Sequence, residues 1–179
     1  HASIGAALTL REVGLGAEDV ERIDVALTDI SFGNMQYPRP TTGLEAKFSL
    51  QYCVAGILTN GWLGIEDFTD AAVASGALDA LIERIDVRHD PALTEAYEWG
   101  QHRPAVMTVT TRSGDRLVQR TEAPPGSPGT FTREMVLNKY RDCMGRGSVV
   151  GDTEQLGDRL ATIVDCEDVA DLMTGLVGA

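Results

Sequence analysis

The stretch AVMTVTTRSGDRLVQRTEA, residues 105–123, decides the fold class, because it holds the clearest local pattern in the chain. From Val106 to Thr111, successive side chains alternate in the manner of a half-buried β-strand. RSGD then turns the chain, with a glycine where a hairpin loop needs a positive φ. A return strand follows through Leu117 and Gln119, so the sequence predicts an antiparallel hairpin.

More strands and helices are predicted on the N-terminal side of this hairpin. Strands are indicated by the alternation of Ile23, Val25 and Leu27 and by residues 85–90. Helices are predicted at 2–13, at about 44–59 and, as one or two short helices with Asp70 as a cap, within 64–85. Loops are expected at 31–43, which is rich in glycine and proline, and at 91–102, irregular or with a short helical turn. The mixture predicts an α+β sandwich of an antiparallel-rich sheet with helices.

A different organisation is predicted beyond the hairpin. The segment PPGSPG, residues 124–129, is typical of a rigid exposed connection. Thr132 is a candidate N-cap for a helix to about Met144, and two further helices are predicted at about 152–164 and 166–177. These three helices have no strand to lie on, so we expect them to pack on another surface.

Composition excludes several classes of protein. The net charge is −12, from 27 acidic and 15 basic residues, which argues against a nucleic-acid partner. There is no apolar run long enough for a membrane span and no signal peptide, which predicts a soluble cytoplasmic protein. Three distant cysteines predict neither a disulfide framework nor a metal cluster. His89 and His102 are interpreted as surface residues.

The first residue and one lysine need a separate explanation. The chain begins with His1 inside a helical pattern, which suggests a fragment of a longer protein or a residue left by an expression tag. Lys47 lies near the start of an apolar predicted helix. Its ammonium either reaches water while its stem covers apolar surface, or sits beside a pocket that receives an anion. On the proline-stiffened loop, Tyr37 is a binding group or a rim residue, and Arg39 either clamps a carboxylate or is simply exposed.

Three segments together resemble a known family. They are HASIGAALTLRE, PTTGLEAKFSLQYCVAGILTNG and VTTRSGDRLVQRTEAPPGSPGTFTREMVLNKYRDC, and EAKFSLQY at 45–52 is the most specific part. In this order they resemble the C-terminal part of the MmgE/PrpD family, which includes 2-methylcitrate dehydratases, cis-aconitate decarboxylases and an iminodisuccinate epimerase. The resemblance implies an α+β lid domain at 1–125, with helix 1–14 leading in. It also implies that the helices of 126–179 return to a helical domain preceding this chain.

The resemblance also implies a chemistry and a site. The family acts at the carbon α to a carboxylate of small di- and tricarboxylates, without a metal or another cofactor, and the protein is expected to be a homodimer. By resemblance, His1 and Tyr37 are catalytic residues at a cleft between the two domains. Arg39 and Lys47 are candidates for binding the charge of the substrate. The predicted function is that of a carbon–oxygen lyase that needs the preceding domain for activity. An epimerase, a decarboxylase or a non-catalytic module for acid binding or dimerisation is the alternative.

Overall fold

A computed structural model of the protein describes residues 1–96, 103–130, 132–146, 152–166 and 168–170. The chain divides into two compact units, His1–Thr130 and Phe131–Ala179. Each unit is described by itself below.

The first unit combines seven described α-helices with a four-stranded sheet. The helices are α1 Ala2–Glu12, α2 Asp29–Gly33, α3 Gly43–Ala46, α4 Leu50–Asn60, α5 Asp70–Ala74, α6 Asp79–Ile82 and α7 Pro91–Glu95. The strands are β1 Val20–Leu27, β2 Ile85–His89, β3 Ala105–Thr111 and β4 Arg116–Thr121, in the order β2-β1-β3-β4. The β1–β2 pair is parallel and the other two pairs are antiparallel. The predicted α+β class with an antiparallel-rich sheet is confirmed.

The hairpin of β3 and β4 forms as its alternation predicts. The two strands pair in register from Ala105 opposite Thr121 to Thr110 opposite Arg116. Gly114 has φ +90°, a conformation that a residue with a β-carbon rarely adopts, and it turns the chain between the strands. The odd-numbered residues of β3 are buried and the even-numbered ones are half-buried, so the hairpin presents its apolar face to one side.

The core lies between that face of the sheet and two helices, α1 and α4. Both helices contribute fully buried side chains to the cluster that also contains Ile23, Val25, Met107 and Val109. Helix α4 buries eight of its eleven residues, and it ends at Gly61, whose φ of +86° provides a left-handed cap. The opposite face of the sheet, which we call the outer face, carries charged and half-exposed residues such as Arg22 and Val118.

Two of the predicted boundaries around the site are wrong. The helix predicted over 44–59 is divided into α3 and α4, because Ser49 takes an extended conformation and its hydroxyl caps a new helix by accepting from the Tyr52 N–H at 3.1 Å. The loop predicted over 31–43 begins later than expected. The side chain of Thr28 caps α2, which continues through Gly33.

Asp70 also has a different role from the one predicted. The side chain that caps α5 is Thr69, whose hydroxyl accepts from the Ala72 N–H at 3.2 Å. The Asp70 carboxylate instead accepts from the Gly43 N–H at 2.8 Å, at the start of α3. Asp70 therefore fixes the position of the short helix that precedes Lys47.

The second unit contains α8 Arg133–Met144 and α9 Thr153–Ala161 among its described residues. The predicted N-cap is confirmed, since the Thr132 hydroxyl accepts from the Met135 N–H at 3.2 Å. The two helices are joined by the Tyr140 hydroxyl, which donates to the Thr153 carbonyl at 2.7 Å. Helix α8 has no buried residue, and the third helix predicted, at 166–177, lies largely outside the described residues.

Across the described ranges of both units, no helix has the combination of length and apolarity that a bilayer crossing requires.

Candidate functional site

A cavity of about 560 Å³ opens in the first unit where α1, α4 and the loop after α2 meet. Its walls come from the start of α1, the loop after α2, the α3–α4 junction and the first turn of α4. The residues that line it are His1, Ser3, Ile4, Asn34, Met35, Gln36, Tyr37, Lys47, Phe48, Ser49, Leu50 and Cys53. This volume is in the range of small-molecule sites in proteins. We call it the α1–α4 cavity.

The break between α3 and α4 places Lys47 on this cavity. Thr42 caps α3 by accepting from the Glu45 N–H at 3.2 Å, and the helix stops at Ala46. Lys47 and Phe48 then form the turn that leads to Ser49, the cap of α4. In a continuous helix, Lys47 would lie in the second turn. Because the chain turns here, Lys47 lies instead at the α3–α4 junction, where it lines the cavity.

The charges on the cavity wall differ from those of the whole chain. Among the described residues that line the cavity there is no aspartate or glutamate, although the protein has a net charge of −12. Among the described residues, Lys47 has no carboxylate within ion-pair distance, and its side chain is exposed. The N-terminus of α4, an eleven-residue helix, adds the positive end of a helix dipole. The cavity is therefore suited to an anion.

The cavity also contains a neutral thiol, that of Cys53. Burial raises the pKa of Cys53 to about 11, so its sulfur stays protonated at neutral pH. The thiol donates to the Ala46 carbonyl at 3.7 Å. Cys53 is thus neither a nucleophile nor an added negative charge at neutral pH, and it leaves the positive character of the site unchanged.

The structure brings together three of the four predicted site residues. His1, Tyr37 and Lys47 all line the α1–α4 cavity, and about 36% of the tyrosine is exposed. Arg39 is not among the lining residues. It forms an exposed ion pair with Glu83 at 3.4 Å. The functional roles proposed for these four residues remain predictions.

The other histidines lie elsewhere or outside the described residues. His89, at the end of β2, is exposed and its Nε2 forms a 3.0 Å hydrogen bond with the Thr94 hydroxyl. The surface position predicted for it is confirmed. His102, which received the same interpretation, lies outside the described residues.

Two serines of the cavity were not predicted from the sequence. Ser3 and Ser49 both line it, and they are only 3% and 1% exposed. A signal for Ser49 was present, because a serine immediately before an apolar run is a typical N-cap. Ser3 had no such signal, because its position on the cavity depends on the packing of α1 against α4.

The described residues of the cavity include only two side chains of the metal-binding types His, Cys, Asp and Glu, His1 and Cys53. Within the ranges that the structure describes, no three His, Cys, Asp or Glu side chains are close enough together to hold a metal ion. The donors that the cavity does offer are an ammonium, hydroxyls, an imidazole and amides, which are groups that bind an organic anion by charge and hydrogen bonds.

Comparison with known proteins identifies the family of the chain. No curated protein matches the chain. The family described as the MmgE/PrpD C-terminal domain matches residues 1–163, which include all four strands and every residue of the α1–α4 cavity. The chain belongs to the MmgE/PrpD family and represents its C-terminal domain.

Proposed function

We propose that the protein is a lyase that dehydrates a small di- or tricarboxylate of the citrate or 2-methylcitrate type. The observation that carries this proposal is the α1–α4 cavity. It combines His1, Tyr37 and Lys47 in a strongly acidic chain, and none of the described residues that line it carries a carboxylate. A polyanionic substrate requires such a local reversal of charge, since acidic side chains would repel it.

The chemistry needs a base and a proton donor, and the binding of a polyanionic substrate needs a cation. A proton on the carbon α to a carboxylate is only weakly acidic, so its removal requires a positioned base and stabilisation of the enolate-like charge. His1 takes this proton, because an imidazole exchanges protons near neutral pH. The electron pair of the C–H bond forms the C=C bond as the β-hydroxyl leaves. Tyr37 donates the proton that releases this hydroxyl as water, and Lys47 neutralises charge on the substrate.

The proposal also includes two partners of this domain, a preceding helical domain and a second copy of the protein. The family match is to a C-terminal domain, and we propose that a helical domain preceding it completes the active site. The second unit supports this, because α8 carries Met135 and Val136 at 42% and 53% exposure and has no buried residue. Apolar side chains on a helix of this kind favour an additional packing surface. A homodimer in the cytoplasm is part of the proposal as well.

The test uses the full-length natural protein with citrate, 2-methylcitrate and substituted succinates in D₂O, followed by NMR. We expect an unsaturated carboxylate to form as water is lost. Deuterium uptake at the α-carbon without elimination would favour an epimerase instead, and release of CO₂ would favour a decarboxylase. If none of these acids reacts or exchanges, the enzymatic function is wrong and a non-catalytic module for acid binding or dimerisation remains.

A further inference from the structure

We propose that Ser3 and Ser49, together with Lys47 and the N-terminus of α4, form a subsite that binds one carboxylate group of the ligand. The identity of the ligand rests on the proposed function, but the subsite is argued from the cavity itself. It assigns a binding role to two serines that the sequence did not identify as site residues.

The first observation is the side chain of Ser3. This residue lies in the first turn of α1 and lines the cavity, yet it is only 3% exposed. No hydrogen bond joins its hydroxyl to another described residue, and Ser3 is not among the buried polar atoms that are sealed from solvent. Buried hydroxyls are nearly always hydrogen-bonded. A ligand in the cavity would provide the acceptor that Ser3 lacks.

The second observation is the start of α4. The Ser49 oxygen accepts from the Tyr52 N–H at 3.1 Å, but no described residue accepts the hydrogen of its hydroxyl. The cap also leaves the N–H groups of Leu50 and Gln51 without a side-chain acceptor. These N–H groups form the positive end of the helix dipole. Leu50, which carries one of them, lines the cavity.

The third observation is that the cavity is lined by both hydrogen-bond donors and apolar side chains. Lys47, Ser3, Ser49 and the first turn of α4 all offer hydrogen-bond donors, and no carboxylate among the described lining residues neutralises them. The neighbouring side chains Ile4, Phe48 and Leu50 are apolar. A ligand with an anionic end and a carbon skeleton matches both parts. We therefore infer an organic carboxylate in preference to a phosphate ion, which has no apolar part.

The experiment measures binding without turnover in the full-length protein. The probe is tricarballylate, which resembles citrate but lacks the hydroxyl and cannot be dehydrated, and inorganic phosphate is the comparison anion. Calorimetry gives the affinities. We expect tricarballylate to bind and phosphate to bind at least about tenfold more weakly, since only the former buries apolar surface. Absent or phosphate-selective binding overturns the subsite.

Two variants test the serines, each with a matched control. Ser3→Ala removes one hydrogen bond to a charged group and should weaken tricarballylate binding about tenfold or more, while Thr9→Ala, at an exposed position of the same helix, should not. Ser3→Ala should also leave the melting temperature unchanged or raised, because the hydroxyl forms no hydrogen bond to a described residue. A lower melting temperature with unchanged affinity would mean that Ser3 is only structural, and would overturn its role.

For Ser49, the variant Ser49→Asp keeps an N-cap but places a negative charge in the subsite. It should weaken binding by more than about a hundredfold through like-charge repulsion. The control Thr69→Asp makes the same kind of change at the exposed cap of α5 and should bind as the wild type does. Equal affinities in the Ser49 and Thr69 variants overturn the subsite.

The outcomes separate the subsite from the proposed function. Serine-dependent binding of tricarballylate without turnover of any tested acid refutes the lyase and supports the subsite. Turnover with affinities that do not depend on Ser3 or Ser49 refutes the subsite and supports the lyase.

Discussion

The α1–α4 cavity and the outer face of the sheet carry their positive charges in opposite ways. On the outer face, Arg22 bonds to both Asp24 and Asp86 at 2.9 and 2.8 Å, and Arg120 pairs with Glu122. On the cavity wall, Lys47 has no carboxylate partner among the described residues. Charges paired on an exposed surface need no ligand, whereas a cation beside a cavity whose described lining contains no acid is available to one.

The largest expected difference between the two regions concerns the histidines. His1→Gln in the full-length protein should lower the turnover of its substrate by about 10²- to 10⁴-fold, because it removes the proposed base from the cavity. His89→Gln is the matched control, since His89 is exposed and bonds only to Thr94 among the described residues. Steady-state kinetics with each variant checks this. Equal losses in both variants, or none in either, would contradict the role of His1.

The two faces of the sheet should also differ in stability. Met107 is fully buried against the helices, so Met107→Ala should lower the free energy of unfolding by about 2–5 kcal/mol. Val118 is 56% exposed on the outer face, and Val118→Ala should change it by less than about 0.5 kcal/mol. Urea denaturation followed by circular dichroism measures both values. A comparable loss at Val118 would show that the outer face is covered by another part of the protein.

The smallest expected effect is on substrate affinity when a single charge is removed. Lys47→Met should raise KM about tenfold with little change in kcat, because the ammonium acts on the bound substrate in both the ground and the transition state. Arg22→Met removes a cation that two aspartates already neutralise, so KM should stay within about twofold of the wild type. If the two variants raise KM equally, Lys47 acts only through the overall charge of the protein.

Local patterns predicted the parts of the fold that depend on neighbouring residues. The β3–β4 hairpin is visible in the sequence because alternation and a glycine turn are properties of adjacent residues. The cap at Thr132 is equally local. The break at Ser49 was missed because the apolar run of 44–58 favours one continuous helix. The structure shows the alternative, in which Ser49 caps a second helix.

The site was only partly predictable for a related reason. The resemblance pointed to His1 and Tyr37, and both line the cavity with Lys47. Arg39 stands next to Tyr37 in the chain, yet it pairs with Glu83, 44 positions further along. Which of two adjacent loop residues faces a cavity depends on the surrounding packing, and a sequence pattern does not contain that information.

The sequence by itself determined the α+β class, the hairpin and the family, because these depend on local periodicity and on short motifs. The tertiary structure alone decided that Ser3 and Ser49, 46 positions apart, line one cavity with Lys47. It also decided that no acid among the described lining residues neutralises that cavity. The physical reason is that burial and electrostatic potential are set by every element that packs around a cavity, and α1, the loop after α2 and α4 meet only when the chain folds.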